Sequence, residues 1–310
     1  KNMKIVSHAP CRLGLVGGGT DVGEYAEKHG GLCLNMAINI RSQICLTDEN
    51  QVIKYPPKAN ENFYWIILNQ FGIGRSGNLG FEAEFAGEIG GGLGSSAAAA
   101  VALIGAINRY KSLGMTREEI AERAWDIEVN KLGLFGGKQD QYAAAFGGVN
   151  ILEFGKEVKV NQLSASFVEE LLPHLVLFYL GQNRKSPKIQ ENFKNPTDIQ
   201  IQALDDIKES ALIGIDLLAN KKIEEFGKLM DGVWGKKKLS NGEVSNELID
   251  GYYERAKSLG AWGGKVLGAG GGGHMLFVCP IEKRQKLVNH LGLEQIDFSI
   301  DYNGLETRRL

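Results

Sequence analysis

Glycine is concentrated in three short loops, the first of which leads into a helix. Four glycines fall within five positions in Gly90-Gly91-Gly92-Leu93-Gly94, and Ser95 and Ser96 then open an Ala-rich predicted helix. Phosphate oxygens need converging N–H donors and little steric bulk, and a glycine loop at a helix N-terminus offers both. The pattern predicts that Gly90 to Ser96 bind the phosphates of a nucleotide. A glycine turn followed by a serine N-cap is the simpler alternative.

The second loop, Ala9–Asp21, contains a cation and a carboxylate. Arg12 offers a planar fork of donors for phosphate oxygens, and three glycines precede the polar pair Thr20-Asp21. An aspartate in such a loop can accept hydrogen bonds from sugar hydroxyls. The predicted substrate residues of this loop are Gly18, Gly19, Thr20 and Asp21. A tight turn with an aspartate cap would give the same pattern.

The third loop, Gly268–His274, contains the spacing G-x-G-x-x-G. A dinucleotide site would need a helix directly after it, whereas Met275–Cys279 is predicted to be a strand. This excludes the Rossmann interpretation. The common NTPase loop is excluded as well, because the sequence contains no G-x-x-x-x-G-K-[ST].

Two carboxylates lie at positions suited to catalysis. Asp140 stands at the start of a short predicted helix, Gln139–Phe146, where the helix dipole favours the ionised form that a catalytic base requires. Glu128, near the inward edge of the preceding helix, is a candidate Mg²⁺ ligand together with the hydroxyl of Ser96. Taken alone, Asp140 could be a helix cap and Glu128 a solvated charge.

The elements that must position these residues mix strands and helices without strict alternation. The predicted helices are Ser95–Leu113, one that opens at Thr116 with a capping box to Glu119, Gln139–Phe146, a helical stretch 197–259, and Ile281–Leu291. The predicted strands are Lys4–Ser7, Gly30–Ile40, Arg41–Leu46, Val149–Phe154, His174–Leu180, Met275–Cys279 and Ile296–Tyr302. Gln51–Glu84 gives no clear pattern. We expect an α+β fold with two domains, 1–170 and 171–310.

Composition excludes several classes of protein. The 310 residues are 43% hydrophobic and 23% charged, with a net charge of −2, which gives no electrostatic case for binding nucleic acid or an anionic membrane. No apolar run approaches the ~20 residues that span a bilayer. The four cysteines, without metal-ligand spacing, predict buried thiols in a reducing compartment, and we expect a cytoplasmic protein.

In this order, the motifs Pro10–Asp21, Gly90–Ala97 and Gly268–Gly273 resemble those of the GHMP kinases, which include galactokinase, homoserine kinase and mevalonate kinase. The spacing from Glu128 to Asp140 is similar to that of the family's magnesium glutamate and catalytic aspartate. The resemblance implies an N-terminal domain like the second domain of ribosomal protein S5 and a ferredoxin-like C-terminal domain. The active site would lie between them.

The resemblance also implies roles for individual residues, with ATP and Mg²⁺ as cofactors. The Gly90–Ser96 loop would hold the triphosphate, and Ser96 and Glu128 would hold Mg²⁺. Asp140, with Arg12 beside it, would accept the proton of the acceptor hydroxyl. The third loop, through Gly271 and Gly272, would close over the substrate. This sequence departs from the family at Glu88-Ile89, where a proline is usual, and between Tyr55 and Phe81, which is shorter than usual.

Within the family, the run from Lys138 to Gly148 most resembles the heptose 7-phosphate kinases, which phosphorylate an anomeric hydroxyl to give the 1,7-bisphosphate. Arg184 and Lys237 would then contact the substrate phosphate, with Lys138 close to the base. Related kinases of fucose or galactose share part of this run, and a mevalonate-like acceptor is a further alternative. A nucleotide-binding regulator on the same scaffold is the alternative from another class. A monomer and a homodimer both stay open.

Overall fold

A computed structural model describes residues 3–48, 53–57, 59–75, 79–87, 90–181 and 195–310. The predicted substrate residue Arg184 and the departure at Glu88-Ile89 lie outside these ranges. Seven strands form the first sheet, and four form the second. The first sheet contains β1 (Lys4–Val16), β2 (Gly31–Thr47), β3 (Ile53–Lys54), β4 (Gly80–Phe85), β5 (Val149–Phe154), β6 (Lys159–Leu163) and the last strand of the chain, β11 (Glu306–Arg309).

The long strand β1 corrects the prediction that Ala9–Asp21 is a loop throughout. β1 runs to Val16 and pairs antiparallel with β2 along its length, with a register shift between Pro10 and Cys11. Proline cannot donate to a sheet ladder, so its place at a bulge is the expected one. From Ala9 to Val16 every residue is buried, which removes the alternation that marks a strand in a sequence.

The helices of the first domain pack around an Ala-rich centre. The helix that follows the Gly90–Gly94 loop, α3 (Ser95–Lys111), is buried almost all round from Ala97 to Ile107. Its small side chains allow the sheet and the neighbouring helices to approach closely. Around it are α1 (Gly23–His29), α2 (Glu61–Gln70), α4 (Arg117–Asp126) and α5 (Gln139–Phe146), with a π-helical turn, Ile127–Lys131, directly after α4.

The second sheet is antiparallel and has the strand order β10-β7-β9-β8. Its strands are β7 (Leu175–Tyr179), β8 (Gly263–Val266), β9 (His274–Val278) and β10 (Glu294–Ile296). Its helices are α6 (Asp198–Ala219), α7 (Ile223–Ser240), α8 (Glu247–Ser258) and α9 (Ile281–Leu291). Short 3₁₀ turns lie at Ala165–Phe167, Leu172–His174 and Gly242–Val244. The order is one strand, three helices, two strands, one helix and one strand, which is the ferredoxin-like arrangement with two additional helices in its first connection. The expected α+β fold is confirmed.

The chain changes sheets between β6 and β7, a span that contains the predicted boundary at residue 170. The final strand, β11, then returns to pair with β1 in the first sheet. The helices Gln139–Phe146 and Ile281–Leu291 have the predicted bounds, and the capping box of Thr116 and Glu119 is present. In the described ranges no helix is both long and apolar enough to cross a bilayer.

Two predictions of local structure were wrong or incomplete. The unparsed region contains the helix α2, which begins with the side chain of Asn60 accepting from the backbone N–H of Asn62. The predicted strand Ile296–Tyr302 is a strand only up to Ile296, and beyond it Ile300 makes a single bridge to Ile38. The strand β10 ends where its pairing with β7 ends, and a local sequence pattern does not show which strand a segment pairs with.

Candidate active site

A cavity of about 340 Å³ lies where the three glycine loops meet. The first domain lines it with Arg12, Asp21, Ser96, Glu128 and Asp140, and with glycines of the first two loops. Lys237, Lys265, Gly268 and Ala269 line it from the second domain, and Leu204 and Ile207 of α6 add an apolar wall. Residues far apart in the sequence, with charges of both signs, therefore face one cavity.

Arg12 connects the first two loops to the carboxylate of Asp140. Its backbone N–H donates to the carbonyl of Leu93 at 2.9 Å, and its Nη1 donates to the carbonyl of Gly92 at 2.6 Å. Its Nε and Nη2 both reach Oδ1 of Asp140, at 2.7 and 2.6 Å. The Arg12 side chain is only 4% exposed, so the ion pair is screened little by solvent.

The paired arginine leaves the second oxygen of Asp140 on the side of the Gly90–Gly94 loop. A Cβ built on Gly94 would lie 3.2 Å from Oδ2 of Asp140. Asp140 is also the second residue of α5, where the helix dipole favours a negative charge. Oδ2 is therefore placed to accept a proton or hydrogen bond next to the loop that precedes α3.

The loop itself has the backbone conformation of an anion site. Gly90, Gly92 and Gly94 all have positive φ angles, of 79°, 86° and 78°. Gly94 is the N-cap of α3, and because glycine has no side chain to cap the helix, the first amides of α3 keep their donors for a ligand. The predicted alternative, a serine N-cap, does not apply: Ser95 lies inside α3, and its hydroxyl accepts from Gly90 N at 3.3 Å.

Glu128 forms a buried oxygen cluster with Ser96 and Gln141. Its Oε1 accepts from the Ser96 hydroxyl, and its Oε2 accepts from Nε2 of Gln141 at 2.6 Å. Burial raises the pKa of Glu128 to about 7, although the two hydrogen bonds favour the charged form. The alternative of a solvated helix charge is therefore wrong, because Glu128 is only 6% exposed. The π-helical turn after α4 is what carries Glu128 inward.

The oxygen cluster fits a hard divalent cation. The described part of the chain contains no cluster of three acidic, histidine or cysteine side chains that could hold a metal ion. Within it, Glu128 has no ion-pair partner. One carboxylate and a hydroxyl beside nucleotide phosphates are the donor set that Mg²⁺ uses, since it keeps several waters. The Oε1 of Gln141 is buried without a hydrogen-bond partner and can take such a water.

The second loop contains residues of two kinds. Gly18, Gly19 and Asp21 line the cavity. Thr20 is fully buried, and its hydroxyl donates to Gly17 O at 2.8 Å and accepts from Leu32 N at 3.0 Å. Thr20 is thus not among the residues that line the cavity but fastens the loop to β2, and its contact with substrate stays a prediction.

Asp21 is a cavity residue whose carboxylate also holds the site together. Oδ1 accepts from Gly19 N at 3.2 Å, and Oδ2 accepts from Gln139 N at 3.1 Å. Burial, and then the charge of Asp140, raise the pKa of Asp21. A Cβ on Gly137 would lie 1.9 Å from Oδ2, so the chain before α5 must pass Asp21 without a side chain.

The third loop packs on the first. A Cβ on Gly273 would lie 2.3 Å from the carbonyl oxygen of Gly91, and Nδ1 of His274 lies 2.7 Å from the same oxygen. Gly268 and Ala269 line the cavity, whereas the predicted substrate residues Gly271 and Gly272 are not among its lining residues. Gly271 instead donates its N–H to Val244 at 2.7 Å.

The predicted substrate lysines have different surroundings. Lys237 lines the cavity and donates to the carbonyl of Gly268 at 2.8 Å. Lys138 does not line it: its ammonium binds both carboxylate oxygens of Glu122, at 2.9 and 2.7 Å, and lies over the ring of Trp125. This geometry does not place Lys138 in the cavity, and its contact with substrate stays a prediction.

Sequence reasoning missed three cavity residues: Lys265, Gln139 and Gln141. Lys265 lies on β8, where its ammonium donates to Leu15 O at 3.3 Å, and burial, followed by the charge of Arg12, lowers its pKa to about 8. Its position three residues before the third glycine loop was the available signal for it. The two glutamines flank Asp140, and only their orientation in the folded helix distinguishes them from surface residues.

With this geometry in hand, comparisons assign the chain to a family. Family models described as the GHMP kinases N terminal domain and GHMP kinases C terminal match residues 61–148 and 215–292. A D-glycero-alpha-D-manno-heptose 7-phosphate kinase of Campylobacter jejuni is 31% identical over 338 residues, covering 99% of each chain. The chain belongs to the GHMP kinases. It is accordingly a phosphotransferase, of a family that uses ATP.

Solved structures agree with the fold. A crystal structure described as a D-glycero-D-manno-heptose 1-phosphate kinase from Bacteroides thetaiotaomicron matches with a TM-score of 0.78, 26% identity and 98% coverage of each chain. A putative sugar kinase from Campylobacter jejuni matches with a TM-score of 0.77 and 29% identity, covering 99% of this chain and 98% of that one. A galactokinase of Lactococcus lactis, at 15% identity and a TM-score of 0.72, shows the same fold.

The contact between Gly94 and Asp140 can be tested with a pair of glycine variants at the two ends of α3. Gly94→Val and Gly114→Val both force a valine into a positive φ, of 78° and 71°, at a cost of about 1–3 kcal/mol in stability each. Only Gly94 has a neighbour, Asp140, whereas nothing lies within 4 Å of a Cβ on Gly114. We expect calorimetry to show that Gly94→Val loses at least about tenfold in ATP affinity while Gly114→Val keeps it. Equal ATP affinity in the two variants would contradict the assignment of this loop.

Burial of Lys265 predicts a pH-dependent stability. Between pH 8 and 10.5 the folded protein binds fewer protons than the unfolded chain, so the destabilisation from the buried ammonium is complete below pH 8 and fades as the pH rises. Lys265→Met should therefore be more stable than the wild type at pH 7, by about 1–3 kcal/mol, and this gain should shrink towards pH 10.5. Urea denaturation at several pH values measures it, with the exposed Lys286→Met as control. A Lys265→Met variant that is less stable at pH 7 would show that the ammonium supports the fold.

Proposed function

We propose that this chain is an ATP-dependent sugar kinase that phosphorylates the anomeric hydroxyl of a heptose 7-phosphate. The observation that carries the proposal is the position of Asp140, which is held by Arg12 through Oδ1 and presents Oδ2 beside the glycine loop. Phosphoryl transfer needs a nucleophile oriented towards the γ-phosphate and charge neutralisation around it. A base within contact distance of the phosphate loop meets the first need.

ATP would bind with its phosphates on the Gly90–Ser96 loop, at the N-terminus of α3. Ser96 and Glu128 would hold Mg²⁺, which supplies charge neutralisation on the phosphates when bound. Arg12 holds Asp140 in place through its ion pair, and it would add a positive charge at the point where negative charge develops. Asp140 Oδ2 would accept the proton of the attacking hydroxyl as its oxygen bonds to the γ-phosphorus, while the bond from that phosphorus to the β,γ-bridging oxygen breaks and ADP leaves.

The acceptor would occupy the side of the cavity lined by Gly18, Gly19 and Asp21. Lys237, from the second domain, brings a positive charge to this cavity, and a sugar that already has a phosphate needs one. Arg184, which the structure does not describe, is the second proposed contact. Relatives support a heptose phosphate: one is named a 7-phosphate kinase and another a 1-phosphate kinase, so the two names differ in the phosphate that the acceptor already has.

The same features argue against a nucleotide-binding regulator. A protein that only binds a nucleotide has no use for an ion-paired carboxylate with a second oxygen facing the phosphate loop.

The four cysteines are all buried and unpaired, which is compatible with the proposed cytoplasmic setting.

Removal of the base separates catalysis from binding. Asp140→Asn keeps the size of the side chain but accepts a proton poorly, so we expect kcat to fall by at least ~10²-fold while the KM for ATP stays nearly constant. Asp126→Asn, which changes a half-exposed aspartate paired with Arg123, serves as the matched control and should keep its activity. A coupled assay of ADP release gives both constants. Near-normal turnover in Asp140→Asn, together with a lowered melting temperature, would show that Asp140 is only a helix cap.

The acceptor is tested with a panel assayed at fixed ATP and Mg²⁺. D-glycero-D-manno-heptose 7-phosphate should exceed heptose 1-phosphate, free heptose, galactose, fucose and mevalonate in kcat/KM by at least ~10²-fold. Lys237→Met should raise the KM for the 7-phosphate about tenfold, whereas its neighbour Lys236→Met, whose ammonium pairs with Asp206 on the surface, should not. If an unphosphorylated sugar is turned over as efficiently, the proposed acceptor is wrong.

A further inference from the structure

A buried amide without a hydrogen-bond partner lies beside the catalytic carboxylate. Gln139 is the first residue of α5, directly before Asp140, and only 9% of it is exposed. Its Oε1 is buried and has no hydrogen-bond partner in the described part of the chain. Unsatisfied buried polar atoms are rare in folded proteins because they lose the hydrogen bonds of water without replacement. This one lines the cavity, where a ligand can supply the missing bond.

The amide faces the acceptor side of the cavity. A Cβ on Gly14 would lie 3.4 Å from Oε1 of Gln139, and a Cβ on Gly18 would lie 3.5 Å from its Nε2. The amide therefore lies against two glycines of the second loop, Gly14 and Gly18. Both glycines leave space around it that a side chain would fill.

Further polar groups on the same wall define what the ligand must offer. The ammonium of Lys265 donates to the carbonyl of Leu15, the residue after Gly14, and an ammonium has donors for more than this one bond. Asp21, whose Oδ2 binds the backbone N–H of Gln139, faces the same cavity with acceptor oxygens. An amide, an ammonium and a carboxylate that line one cavity match neighbouring hydroxyl groups, each of which both donates and accepts.

We propose that Gln139 determines acceptor specificity by binding the hydroxyl next to the one that is phosphorylated. This inference rests on the proposed function, in which Asp140 receives the proton of the reacting hydroxyl. Because Gln139 directly precedes Asp140, its amide is the next polar group along the acceptor. For a sugar phosphorylated at the anomeric carbon, the neighbouring group is the 2-hydroxyl. The acceptor class is thus a sugar with a free 2-hydroxyl, and 2-deoxy sugars are poor acceptors.

The test compares two enzymes with two acceptors. Gln139→Met keeps nearly the same volume and removes both the donor and the acceptor of the amide. Wild type and Gln139→Met are each assayed with D-glycero-D-manno-heptose 7-phosphate and with its 2-deoxy analogue, with Gln285→Met, an exposed glutamine on α9, as control. If the panel identifies another sugar as the best acceptor, that sugar and its 2-deoxy analogue are used instead. Failure of the proposed acceptor is thereby separated from failure of this inference.

The expected result is a loss of discrimination in one variant only. Wild type and Gln285→Met should prefer the 2-hydroxy acceptor at least about tenfold in kcat/KM, and Gln139→Met should use both acceptors equally, at the lower rate. The KM for ATP of Gln139→Met should be unchanged, and its melting temperature should be unchanged or higher. A Gln139→Met enzyme that keeps the preference, one that unfolds or loses ATP affinity, or a wild type without preference would each overturn the inference.

Discussion

The ion pair of Arg12 with Asp140 is the interaction on which the site depends. The guanidinium of Arg12 donates twice to one carboxylate oxygen of Asp140 and once to the carbonyl of Gly92. The backbone N–H of Arg12 donates to the next carbonyl, that of Leu93. The start of α5, the loop before α3 and the strand β1 are thus fixed to each other by a single residue. The Arg12 side chain is 4% exposed and that of Asp140 is 28% exposed, so removal of Asp140 would leave a buried positive charge without compensation and destabilise the protein.

The rest of the structure brings other charges to the same place at a cost in stability. Burial raises the pKa of Glu128 to about 7 and lowers that of Lys265 to about 8, so each is buried in a setting that disfavours its charge. Groups of this kind persist where they serve a function, since a fold alone would gain from their replacement. Glu128 contacts Ser96 at the end of the Gly90–Ser96 loop, and Lys265 contacts Leu15 of the second loop. Under the proposed function, Mg²⁺ would neutralise the first charge, and the acceptor would offer hydrogen-bond acceptors to the second.

Local chemistry made several of the residues that line the cavity, among them Asp140 and Glu128, predictable from the sequence. A glycine loop before a helix and an aspartate at a helix start each have a physical reason for their position, and the fold class followed from the resemblance. The contacts that arise only from tertiary packing were not predictable. A sequence does not distinguish a hydroxyl that binds a ligand from one that binds the backbone, as that of Thr20 does. Nor does it show that the ammonium of Lys138 pairs with Glu122. Long strands with two buried faces, such as β1, lack the alternation that would reveal them.

The identity of the product tests the central claim most directly. Wild-type enzyme is incubated with ATP, Mg²⁺ and D-glycero-D-manno-heptose 7-phosphate, and the products are followed by ³¹P NMR. The account predicts stoichiometric ADP and a new phosphate ester whose resonance couples to the anomeric proton, while the 7-phosphate resonance persists. A new ester on any other carbon, or ADP with inorganic phosphate alone, would contradict it.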